Sequence, residues 1–337
     1  MTTTSKQSIA VRGAGVVGLW QALTLARRGH DVTLYERSAH AFTDACSPYA
    51  GAMLAPRCEE ESAEAVIREL GTRGIALWRE IYPGTVANGA LVVALHRDRS
   101  ELDRFARMTG GHQRLSPDEL ASREPALAGR FAGALYYPEE AHLAPEGALR
   151  FLLDQVQAEG VALRFGEADA PRDVDLIIDC RGLAARDKLP TLRGVRGERI
   201  VVRSHEVSLA RAVRLLHPRF PLYVVPWGDG LYMIGATVIE SEETGPISVR
   251  SALDLLSAAY ALDPAFAEAE IVRQGAGARP AFPDNRPRII VTKEYIYVNG
   301  LYRHGFLLAP VLAELVAAYL ETGATHPEVF LESPAQR

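Results

Sequence analysis

Hydrophobic positions along the chain follow two rhythms. Short, near-continuous apolar runs at Ile9-Ala10-Val11, Val32-Thr33-Leu34-Tyr35, residues 174–180 and residues 295–299 have the length of strands but lack polar alternation. That is the pattern of strands covered on both faces, as in a parallel sheet. Between the first two runs the spacing is helical and closes at Arg28-Gly29-His30. Residues 145–159 place Leu149, Leu152, Leu153 and Val156 on one helical face and stop at Gly160, a common left-handed C′ residue. This segment is predicted to be a crossover helix of the same sheet.

The second rhythm is that of an antiparallel sheet. Leu222 to Pro226 and Leu231 to Thr237 flank Trp227-Gly228-Asp229-Gly230, a turn rich in residues that tolerate positive φ. Residues 90–96, 134–137 and 199–207 add candidate strands, and 63–81 and 249–262 add helices. The two kinds of segment alternate along the chain. The expected architecture is therefore α/β plus α+β: a Rossmann-like domain made of 1–56, 144–198 and 274–337, interleaved with an antiparallel-sheet domain made of 57–143 and 199–273. Residues 306–320 are the most apolar stretch near the C-terminus, but they carry Pro310 and Glu314. They fall short of a membrane span and read as a buried amphipathic helix.

The turn after the first apolar run carries the chemistry. Gly13-Ala14-Gly15-Val16-Val17-Gly18 lies between strand and helix, and the second strand closes on Glu36. The whole strand, turn, helix, strand, acid unit is present, which makes G-x-G-x-x-G informative where alone it is weak. Gly13 permits the tight turn, Gly15 lets backbone approach a pyrophosphate, and Gly18 allows close packing of helix on sheet. The helix N-terminus presents N–H groups and partial positive charge to phosphate. Glu36 is placed to accept hydrogen bonds from ribose hydroxyls and would repel a 2′-phosphate. The ligand read from these residues is FAD or NAD before NADP.

Composition narrows the partners. The chain has 337 residues, 48% of them hydrophobic and 23% charged, which suits about two soluble globular domains. A formal charge of −5 with no basic stripe gives no reason to expect nucleic acid or a membrane surface as partner. Cys46, Cys58 and Cys180 form no C-x-x-C pair, which argues against a disulfide framework or a zinc site and for a reducing, cytoplasmic setting. Residues 1–8 are too short and polar for a signal peptide. No metal is expected, and a homo-oligomer is compatible with the sequence.

Several further segments carry a family resemblance. They are residues 49–56 (Tyr-Ala-Gly-Ala-Met-Leu-Ala-Pro), 179–182 with 193–198, Tyr223-Val224-Val225-Pro226 with Gly235-Ala236-Thr237, Gly277-Ala278-Arg279-Pro280, and Tyr302-Arg303-His304-Gly305. Together with the fingerprint running through Glu36 and Arg37, and over nearly the whole chain, they resemble the glycine oxidase and D-amino-acid oxidase family of flavoproteins. The match is closest to glycine oxidases of thiamine biosynthesis. The resemblance implies FAD as cofactor and oxidation of glycine or a similar small amino acid, such as sarcosine, D-alanine or D-proline. Electrons would pass to O2, giving hydrogen peroxide, and the imine would feed thiazole formation or hydrolyse to glyoxylate and ammonia.

Such a reaction asks the protein for placement and charge: the substrate Cα–H must aim at the ring with the amine neutral. A guanidinium is the best carboxylate handle. By motif, Arg279 corresponds to the arginine that grips the substrate carboxylate, Arg303 to a second active-site arginine, and Tyr223 to the tyrosine whose hydroxyl assists. The turn Arg303-His304-Gly305-Phe306 precedes a helix expected to begin near Ala309, and its N–H groups would face the N1–C2=O end of the ring.

Ala50 and Gly51 let the chain approach the cofactor. Met53 either reaches the ring or packs in the core. Cys180 and Gly182 belong on the adenosine side, with Cys180 not a nucleophile. His304 stands where the family has asparagine. It is a pocket and cofactor candidate, although a histidine in a turn is more often simply hydrogen-bonded. His30 and His142 read as capping or surface residues. Val238, where methionine is common, and Pro221, where histidine is common, are expected at the substrate mouth. The fingerprint alone also fits a nicotinamide dehydrogenase, and the fold also admits a catalytically silent flavin-binding protein.

Overall fold

The computed structural model describes residues 6–170, 173–217 and 222–332; Pro221 lies outside them. The chain divides into two compact units, one of residues 1–50, 145–195 and 278–337, the other of residues 51–144 and 196–277. The segments of the two units alternate along the chain.

The first unit is built on a seven-stranded sheet in the order Phe330–Glu332, Arg288–Val291, Tyr295–Asn299, Leu176–Asp179, Ser8–Arg12, Asp31–Glu36, Ala162–Phe165. Every pairing is parallel except Arg288–Val291 with Tyr295–Asn299. Ile9, Ala10 and Val11 are fully buried, as a central parallel strand requires. Helix Val16–Arg27 packs against both Pro145–Ala158 and Gly305–Thr322. Leu19, Leu23 and Leu25 are wholly inside, each contributing roughly 1.5–3 kcal/mol through burial.

Two sequence expectations about the last helix need correction. It begins at Gly305 with His304 as its N-cap residue, not near Ala309, and Pro310 lies inside it. The Phe306 carbonyl loses its intrahelical donor there, a cost the packing of this helix outweighs. The helix is also not amphipathic, because an unbroken run from Phe306 to Ala313 is buried. By length and composition Gly305–Thr322 would suffice to cross a membrane, yet it is mostly buried inside the protein, the mark of a core helix.

The second unit carries a nine-stranded sheet in the order Ile239–Glu240, Arg193–Arg203, Leu231–Gly235, Leu222–Gly228, Ala212–Leu216, Ala90–Ala94, Ala134–Tyr137, Gln113–Leu115, with Glu270–Ala281 pairing to Arg193–Arg203. Ala212–Leu216 runs parallel to Ala90–Ala94, and the other neighbouring pairs along that order are antiparallel. The hairpin is where the turn chemistry placed it, with Gly228, Asp229 and Gly230 at φ 86, 52 and 70°.

The period-two alternation sorts this sheet into two faces. Val213, Leu215, Val224 and Ile234 join Leu255, Ala259 and Leu262 of helix Val249–Leu262 in the larger core. The opposite face presents Ala212, Val225 and Met233, with Val92, Leu135, Tyr137 and Leu216 further along. Met53 packs on both of these clusters. It lies on strand Met53–Leu54, which pairs with Ala141–His142.

Candidate active site

The fingerprint turn is a cradle made of backbone. A Cβ at Gly13 would stand 2.8 Å from the carbonyl oxygen of Cys180, and one at Gly18 would stand 1.8 Å from that of Gly13, so neither position can carry a side chain without displacement. Gly13 also holds φ at 97°. At Gly15 the contact such a Cβ would make within 4 Å among the described residues, its chain neighbours apart, is with the Ser47 hydroxyl oxygen, at 3.2 Å. The turn is closed where helix meets sheet and open at its middle glycine, which suits a group approaching the backbone there. Val16, Val17 and Gly18 form the first turn of the helix.

Glu36 ends its strand as expected and also braces the turn. Its two carboxylate oxygens accept from Ala14 N–H at 2.8 Å and Ser38 N–H at 3.1 Å. Each oxygen retains a second lone-pair direction for a ribose hydroxyl. Arg37 is exposed and paired with Asp44. Cys180 donates its N–H to the Arg12 carbonyl at 2.8 Å, and burial pushes its thiol pKa well up, which suits a packing rather than a nucleophilic role.

A closed circuit of contacts in the first unit joins this cradle to the arginine segments. The carbonyl of Gly182 accepts from the Asn299 side chain at 2.9 Å, and a Cβ at Gly182 would lie 3.8 Å from the Pro280 ring. Pro280 follows Arg279 on strand Glu270–Ala281, and its carbonyl accepts from Tyr302 N–H at 2.9 Å. Tyr302, at φ 49°, turns the chain into Arg303, His304 and Gly305. A Cβ at Gly305 would stand 3.7 Å from a Val16 methyl, back at the fingerprint helix. Arg279 and Arg303 are both half-buried. The Arg279 charge also reaches Cys46, where desolvation raises the thiol pKa and the guanidinium partly lowers it. Phe306 is buried.

Sequence reading missed Ser47. Its hydroxyl accepts the Val16 N–H at 3.1 Å, satisfying one of the orphan donors at the helix start. The residue begins the short 3₁₀ turn Ser47–Tyr49, which leads into Ala50. Only tertiary structure reveals this partnership, because 31 residues separate the two groups.

In the second unit Met53 and Tyr223 pack on the same cluster as Met233 and Trp227. A Cβ at Gly51 would meet the Met233 terminal methyl at 2.3 Å, which explains the small residue there. Val238 is 49% exposed and is not a member of this cluster.

His142 requires correction: it is buried, sits on a strand and pairs with Met53. Burial drives its pKa down to about 4, although a hydrogen bond to the Pro226 carbonyl works the other way. His30 is likewise buried, and its Nδ1 accepts the Gln7 N–H at 3.3 Å.

A buried set of ionisable groups lies nearby and also went unread. The Glu140 carboxylate accepts the Cys58 N–H at 2.8 Å, and burial pushes its pKa up to about 8. Arg214 donates to the Cys58 carbonyl at 3.2 Å and to Glu61 at 2.5 Å. Among the described residues no cluster of three or more His, Cys, Asp or Glu could hold a metal ion.

Comparison with known proteins agrees with this geometry. Residues 8–319 match the family model described as FAD dependent oxidoreductase. A protein of Rhizobium etli assigned as a thiamine biosynthesis oxidoreductase, ThiO, is 50% identical over 95% of this chain and 98% of its own length. A glycine oxidase of Geobacillus kaustophilus is 26% identical over 96% and 95% of the two chains. The crystal structure of glycine oxidase from that organism superposes with a TM-score of 0.82 at 24% identity, covering 98% of this chain and 100% of that one. The glycine cradle, the acid that closes the second strand and the match over most of the sequence agree: this chain belongs to the family of FAD-dependent oxidoreductases.

Proposed function

We propose that the chain is a glycine oxidase that converts glycine, or a similarly small amino acid, to its imine, reduces O2 to hydrogen peroxide and supplies the thiazole branch of thiamine biosynthesis. The observation that carries this reading is the circuit linking the fingerprint helix, the Arg279 strand and the Arg303 turn within one unit. It gives an FAD cradle two half-buried guanidinium groups. The likeness to glycine oxidases and to the Rhizobium etli relative supports the substrate and the pathway.

Held by the residues of the fingerprint turn, FAD would supply the acceptor for hydride from the substrate Cα and the route for those electrons to O2. The chain's own residues do the rest. Gly15, Val17 and Gly18 would offer backbone N–H groups to the pyrophosphate, Gly13 and Val16 shape the turn with their own N–H groups given to the Tyr35 carbonyl and the Ser47 hydroxyl, and Glu36 would take the ribose hydroxyls. Ala50, Cys180 and Gly182 would leave room for the cofactor's approach, while the glycine at 51 makes room for Met233. Arg279 and Arg303 bind the substrate carboxylate through charge-assisted hydrogen bonds, which the Tyr223 hydroxyl supplements as a donor. Met53 and Val238 bound the substrate by bulk. The first-turn N–H groups at Gly305 and Phe306, beginning at the His304 cap, stabilise negative charge that builds near them.

The test is peroxide release by purified protein with glycine, sarcosine, D-alanine and D-proline. Turnover greatest with glycine is expected. Activity confined to another amine would move the substrate assignment, and none with any small amino acid would refute it.

A further inference from the structure

We propose that Arg214 is a positioning residue for Tyr223, holding the phenol ring and its hydroxyl in the orientation that meets the substrate carboxylate. The proposal rests on the assignment of Tyr223 to that carboxylate. Its own warrant lies in the second unit.

Strand Ala212–Leu216 is buried along its whole length, and its sequence is Ala-Val-Arg-Leu-Leu. An arginine in the middle of such a strand carries a desolvation cost that an aliphatic residue would avoid, so a compensating role is expected. Its register places it directly opposite Tyr223 on the antiparallel neighbour, and opposed residues of an antiparallel pair project their side chains from the same face. The guanidinium carbon stands 5.3 Å from the Tyr223 ring centroid and 4.7 Å from that of Phe105. Both distances are within the range at which a cation is held by an aromatic face.

The guanidinium is itself anchored. One terminal nitrogen donates to the Cys58 carbonyl and the other to Glu61. The Cys58 N–H donates to Glu140, so the residue that anchors Arg214 is held through both its N–H and its carbonyl. Burial works against the Arg214 charge, but Tyr223, Cys58 and Glu61 more than offset it, and its pKa is raised. A fixed cation here orients the ring through its face. A tyrosine held only by apolar packing would keep more rotameric freedom and meet a carboxylate less often in the bonding geometry.

The experiment is a double-mutant cycle on steady-state kinetics with glycine, using Tyr223→Phe and Arg214→Met in the holoenzyme, with flavin content and Tm as folding controls. Tyr223→Phe should raise KM by roughly tenfold with little change in kcat, the signature of lost uniform binding. Arg214→Met should raise KM by roughly three- to tenfold in the parent but by less than about twofold in the Tyr223→Phe background. Equal cost in both backgrounds, or no cost in the parent, would overturn the positioning role while leaving the Tyr223 assignment intact. No change with Tyr223→Phe alone would remove the assignment, and the proposal with it.

If Arg214→Met fails to fold because it strands Glu61, the paired change Arg214→Met with Glu61→Gln and the milder Arg214→Lys take its place in the same cycle. The ¹⁹F spectrum of protein carrying 3-fluorotyrosine at position 223 supplies a readout independent of turnover. Two resolved ring orientations or one sharp line are expected with Arg214, and a shifted, motionally averaged line without it. Identical spectra would overturn the proposal.

Discussion

The two units make their chemistry in different ways. In the first, the proposed cofactor cradle is backbone: Gly13 and Gly18 are kept from carrying side chains by carbonyl oxygens at 2.8 and 1.8 Å, and N–H groups at helix starts are its proposed donors. In the second, the candidate residues Met53 and Tyr223 lie at a sheet face, with Arg214, Glu140 and His142 buried in the same unit and Glu61 partly buried beside Arg214. A backbone site tolerates almost no substitution at its glycines, whereas a side-chain site can lose one group and keep its frame. The two therefore fail differently.

The largest expected effect lies in the first unit. Gly18→Ala places a methyl against the Gly13 carbonyl, so helix Val16–Arg27 must move off the sheet. Flavin absorbance per protein is expected to fall to near zero, with helix content by circular dichroism largely retained. Full flavin content in this variant would break the contrast.

A smaller effect separates two buried groups of the second unit. Glu140 has its pKa raised to about 8 from 4.5, and His142 has its lowered to about 4 from 6.5. Between about pH 4.5 and 6.5 the unfolded chain carries one proton on His142 and the folded chain one on Glu140, so the two cancel. From pH 6.5 to 8 only the folded state holds the extra proton, and stability falls by roughly 2 kcal/mol as pH rises. Below pH 4.5 the unfolded state binds more protons and stability falls as pH drops. Glu140→Gln is expected to abolish the alkaline loss and to expose the His142 contribution, which is present above pH 6.5 and lost as pH falls toward 4. Tm measured from pH 4 to 9 checks this: a parent decline of a few degrees between pH 6.5 and 8 should vanish in the variant, with flavin content unchanged. The same decline in both proteins would remove Glu140 as its source.

The same contrast explains what could be read from sequence. A backbone site needs glycines at fixed spacing between a strand and a helix, and that spacing is visible in one dimension, as are the caps and period that bound helix Val249–Leu262. The start of Gly305–Thr322 was misplaced because Pro310 reads as a first-turn residue, whereas its helix has already run a full turn. His142 and Arg214 were hidden for another reason. A histidine or arginine carries no local mark of burial; its role is set by partners such as the Pro226 carbonyl, Cys58 and Glu61, which lie 84, 156 and 153 residues away. The Ser47 hydroxyl at the fingerprint helix is the same case in small.

The central claim, an FAD cradle joined to a guanidinium grip for a small amino acid, is tested most directly by the visible spectrum of purified protein before and after anaerobic glycine. The account predicts a flavin spectrum that bleaches with glycine, and an Arg279→Ala variant that keeps its flavin but bleaches more slowly by on the order of a thousandfold. Protein that neither contains nor takes up flavin would contradict the account, as would flavin in the parent that stays oxidised with glycine and every other small amino acid.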